Sequence, residues 1–127
     1  MAEARFLPTV LDVTGKAGDR VRWTIRVTDD DGVPLDWSGY AFAAQIRVNA
    51  TDLGSPVATI TIDASGAAAG VLVLTVSAVT TATMLPASLG LSQKTWVWDM
   101  QRTLIADATD VRTTHGGAFV LVIDVTR

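Results

Sequence analysis

The sequence predicts an all-β protein, an antiparallel β-sandwich of seven or eight short strands with one short helix. The first observation is that only Glu3 among the 13 acidic residues is a glutamate; aspartate favours turns and caps, whereas glutamate favours helix interiors. The second is the abundance of threonine and valine, β-branched residues that suit a pleated, half-buried surface. The third is a series of short alternating segments separated by turn residues, which is typical of sandwiches.

The length predicts one domain. The chain has 127 residues, fewer than the roughly 150 that serve as a prior for a single domain. We expect residues 1–14 to form an N-terminal arm or edge strand and residues 15–127 to form a single sandwich domain. A chain of this mass buries roughly two-thirds of its unfolded surface on folding. It can therefore build a core without disulfides, in keeping with the absence of cysteine.

Residues 20–28 carry the clearest strand pattern. Apolar residues at 21, 23, 25 and 27 alternate with arginines and threonines, and this period of two places the two sets on opposite faces. The next four residues, Asp29 to Gly32, supply turn chemistry, with a glycine suited to positive φ, and Pro34 follows. We expect a hairpin-like reversal there.

Three further strands and a helix are predicted in the middle of the chain. Residues 40–49 alternate, and residues 58–63 alternate again after a loop with Gly54, Ser55 and Pro56. Residues 71–76 are nearly continuous in apolar side chains, as expected for an interior strand buried on both faces. Ser77 then predicts the cap of a weak helix of at most about two turns, which ends before Pro86.

The last third predicts three more strands. Residues 95–102 alternate, which puts Trp96, Trp98 and Met100 on one face. We expect a turn around residues 106–110 and a strand at 111–114, then an interruption at Gly116-Gly117 and a final strand over 119–126. With a further strand near residues 10–14, the predicted number of strands is seven or eight.

Short segments spread over nearly the whole chain carry a family resemblance. They are Gly18-Asp19, Asp29 to Asp36, Ser38-Gly39-Tyr40, Gln45-Ile46-Arg47, Leu72 to Val76, Ser77-Ala78, Leu85-Pro86 and Val125-Thr126-Arg127. In this order they resemble the immunoglobulin-like domain of bacteriophage baseplate upper proteins and of related tail and fibre-adaptor proteins. One departure is Thr103 to Asp107, where the hairpin lacks the glycine usual in such domains.

The resemblance implies an immunoglobulin-like sandwich in a virion component that contacts other phage proteins. Such a protein would be made in the cytoplasm of the bacterial host and built into the particle. The tail or baseplate is favoured over the capsid surface. The expected partners are other virion proteins, together with further copies of this chain in a homo-oligomer.

Neither an enzyme nor a cofactor is predicted. The single histidine, His115, is interpreted as a surface or loop residue, since the chain has no Gly-x-Ser-x-Gly elbow and no set of metal ligands at a suitable spacing. The run Asp29 to Asp31 lacks the spacing of a calcium loop and is interpreted as a solvated turn. We therefore expect no catalytic, metal or cofactor residues.

The charge and hydropathy of the chain limit the classes of partner that it can bind. A formal charge of −3 argues against nucleic acid, and no apolar run reaches the roughly 18 residues of a membrane span. Apolar residues make up 49% of the chain and the mean hydropathy is +0.35. We expect part of this apolar surface to be covered by a partner.

Three groups of side chains are the candidate interface. The arm contributes apolar residues, the outward face of the first clear strand and the next strand contribute a stripe of arginines, and the second half contributes two tryptophans. The residues are Phe6, Leu7, Val10, Leu11, Arg20, Arg22, Arg26, Arg47, Trp96 and Trp98. Arginine and tryptophan are enriched at interfaces. The stripe also fits an ordinary solvated face, and the tryptophans also fit a core or a sugar-stacking platform.

The predicted function is that of a non-enzymatic phage structural protein, in the tail, the baseplate or a fibre attachment, acting through protein contacts. One alternative is a decoration or minor capsid protein on the capsid exterior. The other is a carbohydrate-binding module that attaches to a host-surface glycan through Trp96 and Trp98.

Overall fold

A computed structural model describes residues 9–49, 56–86 and 90–123, which contain eight strands and one α-helix. In chain order these are β1 Thr9–Val10, β2 Val13–Lys16, β3 Val21–Arg26, β4 Tyr40–Arg47, β5 Ala58–Asp63, β6 Val71–Val76, α1 Ala78–Met84, β7 Gln93–Leu104 and β8 Asp107–Val122, with a short 3-10 helix at Ala67–Ala69. The all-β prediction is confirmed. Within these ranges no helix is long and apolar enough to cross a membrane.

The strands form one curled, mixed sheet. Its order is β1–β8–β7–β4–β5–β6–β3, and β2 also pairs with β8. The curl is made at β5, because residues 58–60 pair with β4 whereas residues 61–63 pair with β6. One strand thus belongs to both halves of the sheet, and β3 packs against the faces of β7 and β8 through Trp23.

The prediction of a purely antiparallel arrangement is wrong at the N-terminal edge. β1 and β2 run parallel to β8, with Val10 beside Gly116 and Val13 beside Phe119. β2 spans residue 14, the boundary predicted for the arm. The parallel pairing with β8 is maintained at the junction of β1 and β2, where side chains form hydrogen bonds with the backbone groups that the ladder leaves unpaired.

At this junction two side chains take the place of a backbone hydrogen bond. The Leu11 amide donates to the Gly116 carbonyl at 2.8 Å, but the Leu11 carbonyl accepts from the indole Nε1 of Trp98 at 2.9 Å. The Ala118 amide donates to the Asp12 carboxylate at 3.0 Å. In an uninterrupted parallel ladder this amide and the Leu11 carbonyl would pair with each other. Both groups stay satisfied while the chain steps from β1 to β2.

Gly117 makes the junction possible. It lies opposite Trp98 on the neighbouring strand, and a β-carbon at this position would lie 2.4 Å from the Leu11 carbonyl oxygen. The predicted interruption at Gly116-Gly117 is therefore wrong. β8 runs without a break from Asp107 to Val122, and the missing side chain lets a neighbouring segment approach closely.

The core lies between the two halves of the curled sheet. Trp23 meets Trp98 edge-on with ring centroids 5.3 Å apart, and Phe119 lies 6.1 Å from the same ring. The strands that face this core alternate as predicted for residues 20–28, 58–63 and 95–102. The largest fully buried side chains include Ile46, Leu72, Leu74, Met100, Phe119 and Leu121.

The predicted interior strand and helix are present. β6 lies between β5 and β3, and its residues alternate between buried and half-buried. The Ser77 hydroxyl accepts from the Thr80 amide at 3.2 Å and caps α1, which ends before Pro86.

The helix fastens the connection between β2 and β3. The Thr81 hydroxyl, fully buried on α1, accepts from the Gly18 amide at 3.0 Å and donates to the Asp19 carbonyl at 2.8 Å. These bonds cross more than sixty residues of chain. They hold the connection between β2 and β3 against α1.

Aspartates form turns, as their abundance predicts. Asp29 accepts from the amides of Asp31 and Val33, and Gly32 has a φ of +81°. The reversal at Asp29 is local, because β3 pairs with β6 and not with β4. Hydrogen bonds from the residue two positions on lower the pKa of three other carboxyl groups, which are Asp36, Asp63 and Asp107.

The turn predicted around residues 106–110 is wrong by a few positions. Leu104 pairs with Asp107, so Ile105 and Ala106 alone make the connection between β7 and β8. A register shift between Thr103 and Leu104 accompanies this tight turn. Asp107 accepts from Thr109 inside β8, and the aspartate near this hairpin therefore does not mark its tip.

Gly117→Ala tests the junction. The added methyl group must displace the Leu11 carbonyl, and we expect the free energy of unfolding to fall by about 1–3 kcal/mol, as for an overpacked core. Gly39→Ala is the matched control, since a β-carbon at Gly39 meets no atom within 4 Å. Urea unfolding of both variants measures the difference. Equal stability of the two variants would contradict the junction described here.

Candidate functional site

The candidate site is a cleft between the two edges of the curled sheet. Its volume is about 390 Å³. One wall comes from the end of β3 and the residues after it, and the other comes from β1, β7 and β8. The lining residues are Thr9, Arg26, Val27, Thr28, Leu35, Trp37, Arg102, Thr114 and His115.

Arg102 is held in place by aromatic rings. Its guanidinium carbon lies 4.9 Å from the centroid of Trp37 and 4.4 Å from the ring centroid of Tyr40. Phe42 stacks on Trp37 with centroids 6.0 Å apart, and Trp37 is 6% exposed. A cation over an aromatic face is attracted by the ring quadrupole. The guanidinium therefore has a defined position in the cleft wall.

His115 lies inside β8, and its interpretation as a surface or loop residue is wrong. Its side chain is 8% exposed and meets the edge of Trp37 at 6.4 Å. The strand does not stop at Gly116, so His115 sits beside Thr9 of β1. Burial lowers the pKa of His115, which keeps the imidazole neutral at neutral pH.

The polar groups of the cleft suit the binding of an anion. The Thr114 hydroxyl lies 3.0 Å from Nδ1 of His115. None of the lining residues that the structure describes is acidic, whereas Arg26 and Arg102 carry positive charge. The cleft can therefore attract an anion and offers the hydroxyl groups of Thr9 and Thr28, whereas the hydroxyl of Thr114, which is 1% exposed, is bonded within the protein.

The predicted arm residues are only partly described. Phe6 and Leu7 lie outside the described residues. Val10 is 77% exposed on β1, and Leu11 is 37% exposed at the junction with β2. Val10 therefore presents an apolar side chain at the edge of the sheet.

The predicted arginines do not all lie together. Arg22 and Arg26 point outward from β3, and Arg20 is exposed just before it. Arg47 lies on β4, which β5 and β6 separate from β3. Its guanidinium donates to the side-chain oxygen of Gln45. Of the four arginines, Arg26 is the one that lines the cleft.

Arg47 also acts on a carboxyl group of the neighbouring strand. Burial raises the pKa of Asp99 on β7, and the positive charge of Arg47 partly offsets that rise. Gln45, which shares a hydrogen bond with Arg47, lies opposite Asp99 in the sheet. The arginine thus belongs to a polar cluster on the outer face of β4 and β7.

Trp96 and Trp98 both lie in the core, which was one of the three places open to them. Each is 2% exposed. Lys94 lies over the Trp96 ring at 5.2 Å, and Trp98 donates to Leu11. Neither indole presents a face to a sugar in solution.

Of the nine described lining residues, sequence patterns identified Arg26 alone as a site candidate, and the eight that they missed include Trp37, Arg102 and His115. Strand register brings them together: Arg102 pairs with Phe42 of β4, next to the residues that stack on its guanidinium. The residues come from segments far apart in the chain, and no local spacing connects them. The one available signal was that a lone histidine followed two threonines in a strand pattern, which is weak.

A scan against protein-family models and a search of curated proteins found no match for this chain. Among residues 9–49, 56–86 and 90–123, no three histidine, aspartate or glutamate side chains form a group that could hold a metal ion.

The buried histidine predicts a pH dependence of stability. The pKa of His115 in the folded chain is below its ordinary value of 6.5, so the unfolded chain takes up a proton first as the pH falls. Stability is full above pH 6.5 and declines between that pH and the lower folded pKa. Urea unfolding at pH 7.5 and pH 5.5 measures the decline.

His115→Gln is the control, because His115 is the single histidine. The decline between these two pH values should disappear in this variant. The aspartates with lowered pKa act in a more acidic range. An equal decline in both chains would show that His115 is not its cause.

Proposed function

We propose that this chain is a non-enzymatic structural protein of a tailed phage. It acts in the tail, the baseplate or a fibre attachment through contacts with other virion proteins and with further copies of itself. It is made in the cytoplasm of the bacterial host and then built into the particle. The observation that carries the proposal is Val10, which is 77% exposed on an edge strand of the sheet.

An exposed edge strand offers backbone groups to another chain. Within the described residues, β1 and β2 pair with β8 alone. A segment of a neighbouring protein that paired with this edge would cover Val10 and complete the ladder at the same time. Single exposed apolar residues are normal in monomers, so the combination of an apolar side chain and a sheet edge is what supports a contact here.

Further apolar side chains are exposed away from the edge. They are Val33, Leu35, Val48, Val57, Val79, Leu91, Ile105 and Val111. Several of them lie in connections between strands or, like Val79, on α1. Because single exposed apolar side chains are normal in monomers, the proposal assigns no contact to these residues.

The proposal includes an immunoglobulin-like sandwich. In that fold the second, fifth and fourth strands are neighbours in one sheet, and the third, sixth and seventh are neighbours in the other. The neighbour orders β3–β6–β5 and β4–β7–β8 correspond to these two sets when β3 is counted as the second strand. The packing of Trp23 on Trp98 and Phe119 supports two facing layers. The sharing of β5 and the parallel β1 and β2 are local departures.

The capsid exterior is the alternative location, since a decoration or minor capsid protein would use the same kinds of contact. The alternative of a carbohydrate module built on Trp96 and Trp98 has lost its support. Both rings are buried, and a stacking platform needs an exposed aromatic face.

Val10→Asp tests the proposed contact. A charge at this position opposes burial of the edge against a neighbour, and we expect incorporation of the chain into particles to fall at least about tenfold, since burying an unpaired carboxylate costs several kcal/mol. Val79→Asp is the matched control, because Val79 is 78% exposed but lies on α1. The amount of each variant in purified particles is the measurement.

Both variants should remain folded, since each side chain is mainly in solvent. Normal incorporation of Val10→Asp would refute the edge contact. A loss that is equally large for Val79→Asp would refute the assignment of the contact to this edge.

A further inference from the structure

We propose that the cleft between β1 and β3 binds a sugar acid, a small ligand with one carboxylate and several hydroxyl groups. The proposal does not depend on the role in a phage particle. It rests on the two arginines, the hydroxyl-bearing side chains and the volume of the cleft.

The charge of the cleft selects an anion. Arg26, at the end of the edge strand β3, and Arg102, on the interior strand β7, both line the cleft, and no acidic residue is among the described residues of the lining. A guanidinium presents a planar fork of donors that matches a carboxylate. Trp37 and Tyr40 fix the Arg102 guanidinium, and a group that is already oriented loses little entropy when it binds.

The remaining polar groups select a ligand with hydroxyls. Thr9, Thr28 and His115 line the cleft, while the Thr114 hydroxyl lies 3.0 Å from Nδ1 of His115 and helps to orient the imidazole. A threonine hydroxyl both donates and accepts, and a neutral imidazole has one donor and one acceptor nitrogen. Sugar hydroxyls also donate and accept hydrogen bonds, so these side chains can pair with them.

The size and the apolar wall also fit a monosaccharide. The cleft holds about 390 Å³, within the range of about 300–1,000 Å³ for small-molecule sites. Val27 and Leu35 line it and can contact the C–H face of a sugar ring. Trp37 does not act as a stacking platform, because Arg102 and Phe42 lie over its ring. An acidic peptide would use the arginines but would leave much of the hydroxyl complement without a partner.

The first experiment titrates the full chain with galacturonate, glucuronate, galactose and acetate, followed by calorimetry and by amide NMR. We expect at least one of the two sugar acids to bind about tenfold more tightly than galactose or acetate. The amide shifts should concentrate at Thr9, Thr28, Thr114 and His115. A parallel titration with polygalacturonate shows whether the ligand is recognised free or within a polymer.

The second experiment compares two arginine variants on β3. Arg26→Gln should weaken binding of the sugar acid about tenfold or more, as expected for a charge-assisted hydrogen bond. Arg22→Gln removes the same charge from the same exposed face of the strand but lies outside the cleft, and it should bind as the unaltered chain does.

The proposal is overturned if neither sugar acid binds, if galactose binds equally well, or if Arg22→Gln weakens binding as much as Arg26→Gln. A short glutamate-containing peptide serves as a further probe. Binding of this peptide in the absence of any sugar-acid binding would assign the cleft to an acidic protein segment instead.

Discussion

The hydrogen bond from the Trp98 indole to the Leu11 carbonyl, made across Gly117, is the constraint on which the edge of this sheet depends. The Trp98 side chain extends from β7 across Gly117 of β8, where no side chain blocks it, and its indole contacts Leu11 on the far side of β8. It thereby places β1 and β2 parallel to β8. The same ring packs on Trp23 of β3, so that one side chain connects the N-terminal edge with both halves of the curled sheet.

The cleft is a consequence of this arrangement. Because β1 is held beside His115, Thr9 becomes part of a wall that faces Arg26 at the end of β3. Val10, the next residue, remains exposed on the edge. The edge proposed for assembly therefore adjoins the cleft proposed for ligand binding, because both include a residue of β1. A neighbouring protein that covered the edge would lie close to the mouth of the cleft.

Local rules predicted much of the fold. Side-chain alternation identified β3, and the cap at Ser77 with the stop at Pro86 identified α1, because these features depend on residues close in sequence. The parallel pairing of β1 and β2 could not be predicted, since it depends on an indole more than eighty residues away. For the same reason local rules predict a break at Gly116-Gly117, where β8 in fact continues. The cleft was missed because Arg102 meets Trp37 and Tyr40 only after β4 and β7 have found their register.

Amide hydrogen exchange in Trp98→Phe tests the central constraint most directly, with Trp96→Phe as an equally buried control on the same face of β7. The phenyl ring cannot donate to Leu11. The amides of Leu11 and Ala118 should then exchange at least about tenfold faster than in the control, a local opening, while the amides of β4 exchange alike in both variants. Equal protection of Leu11 and Ala118 in the two variants would contradict the role given to this hydrogen bond.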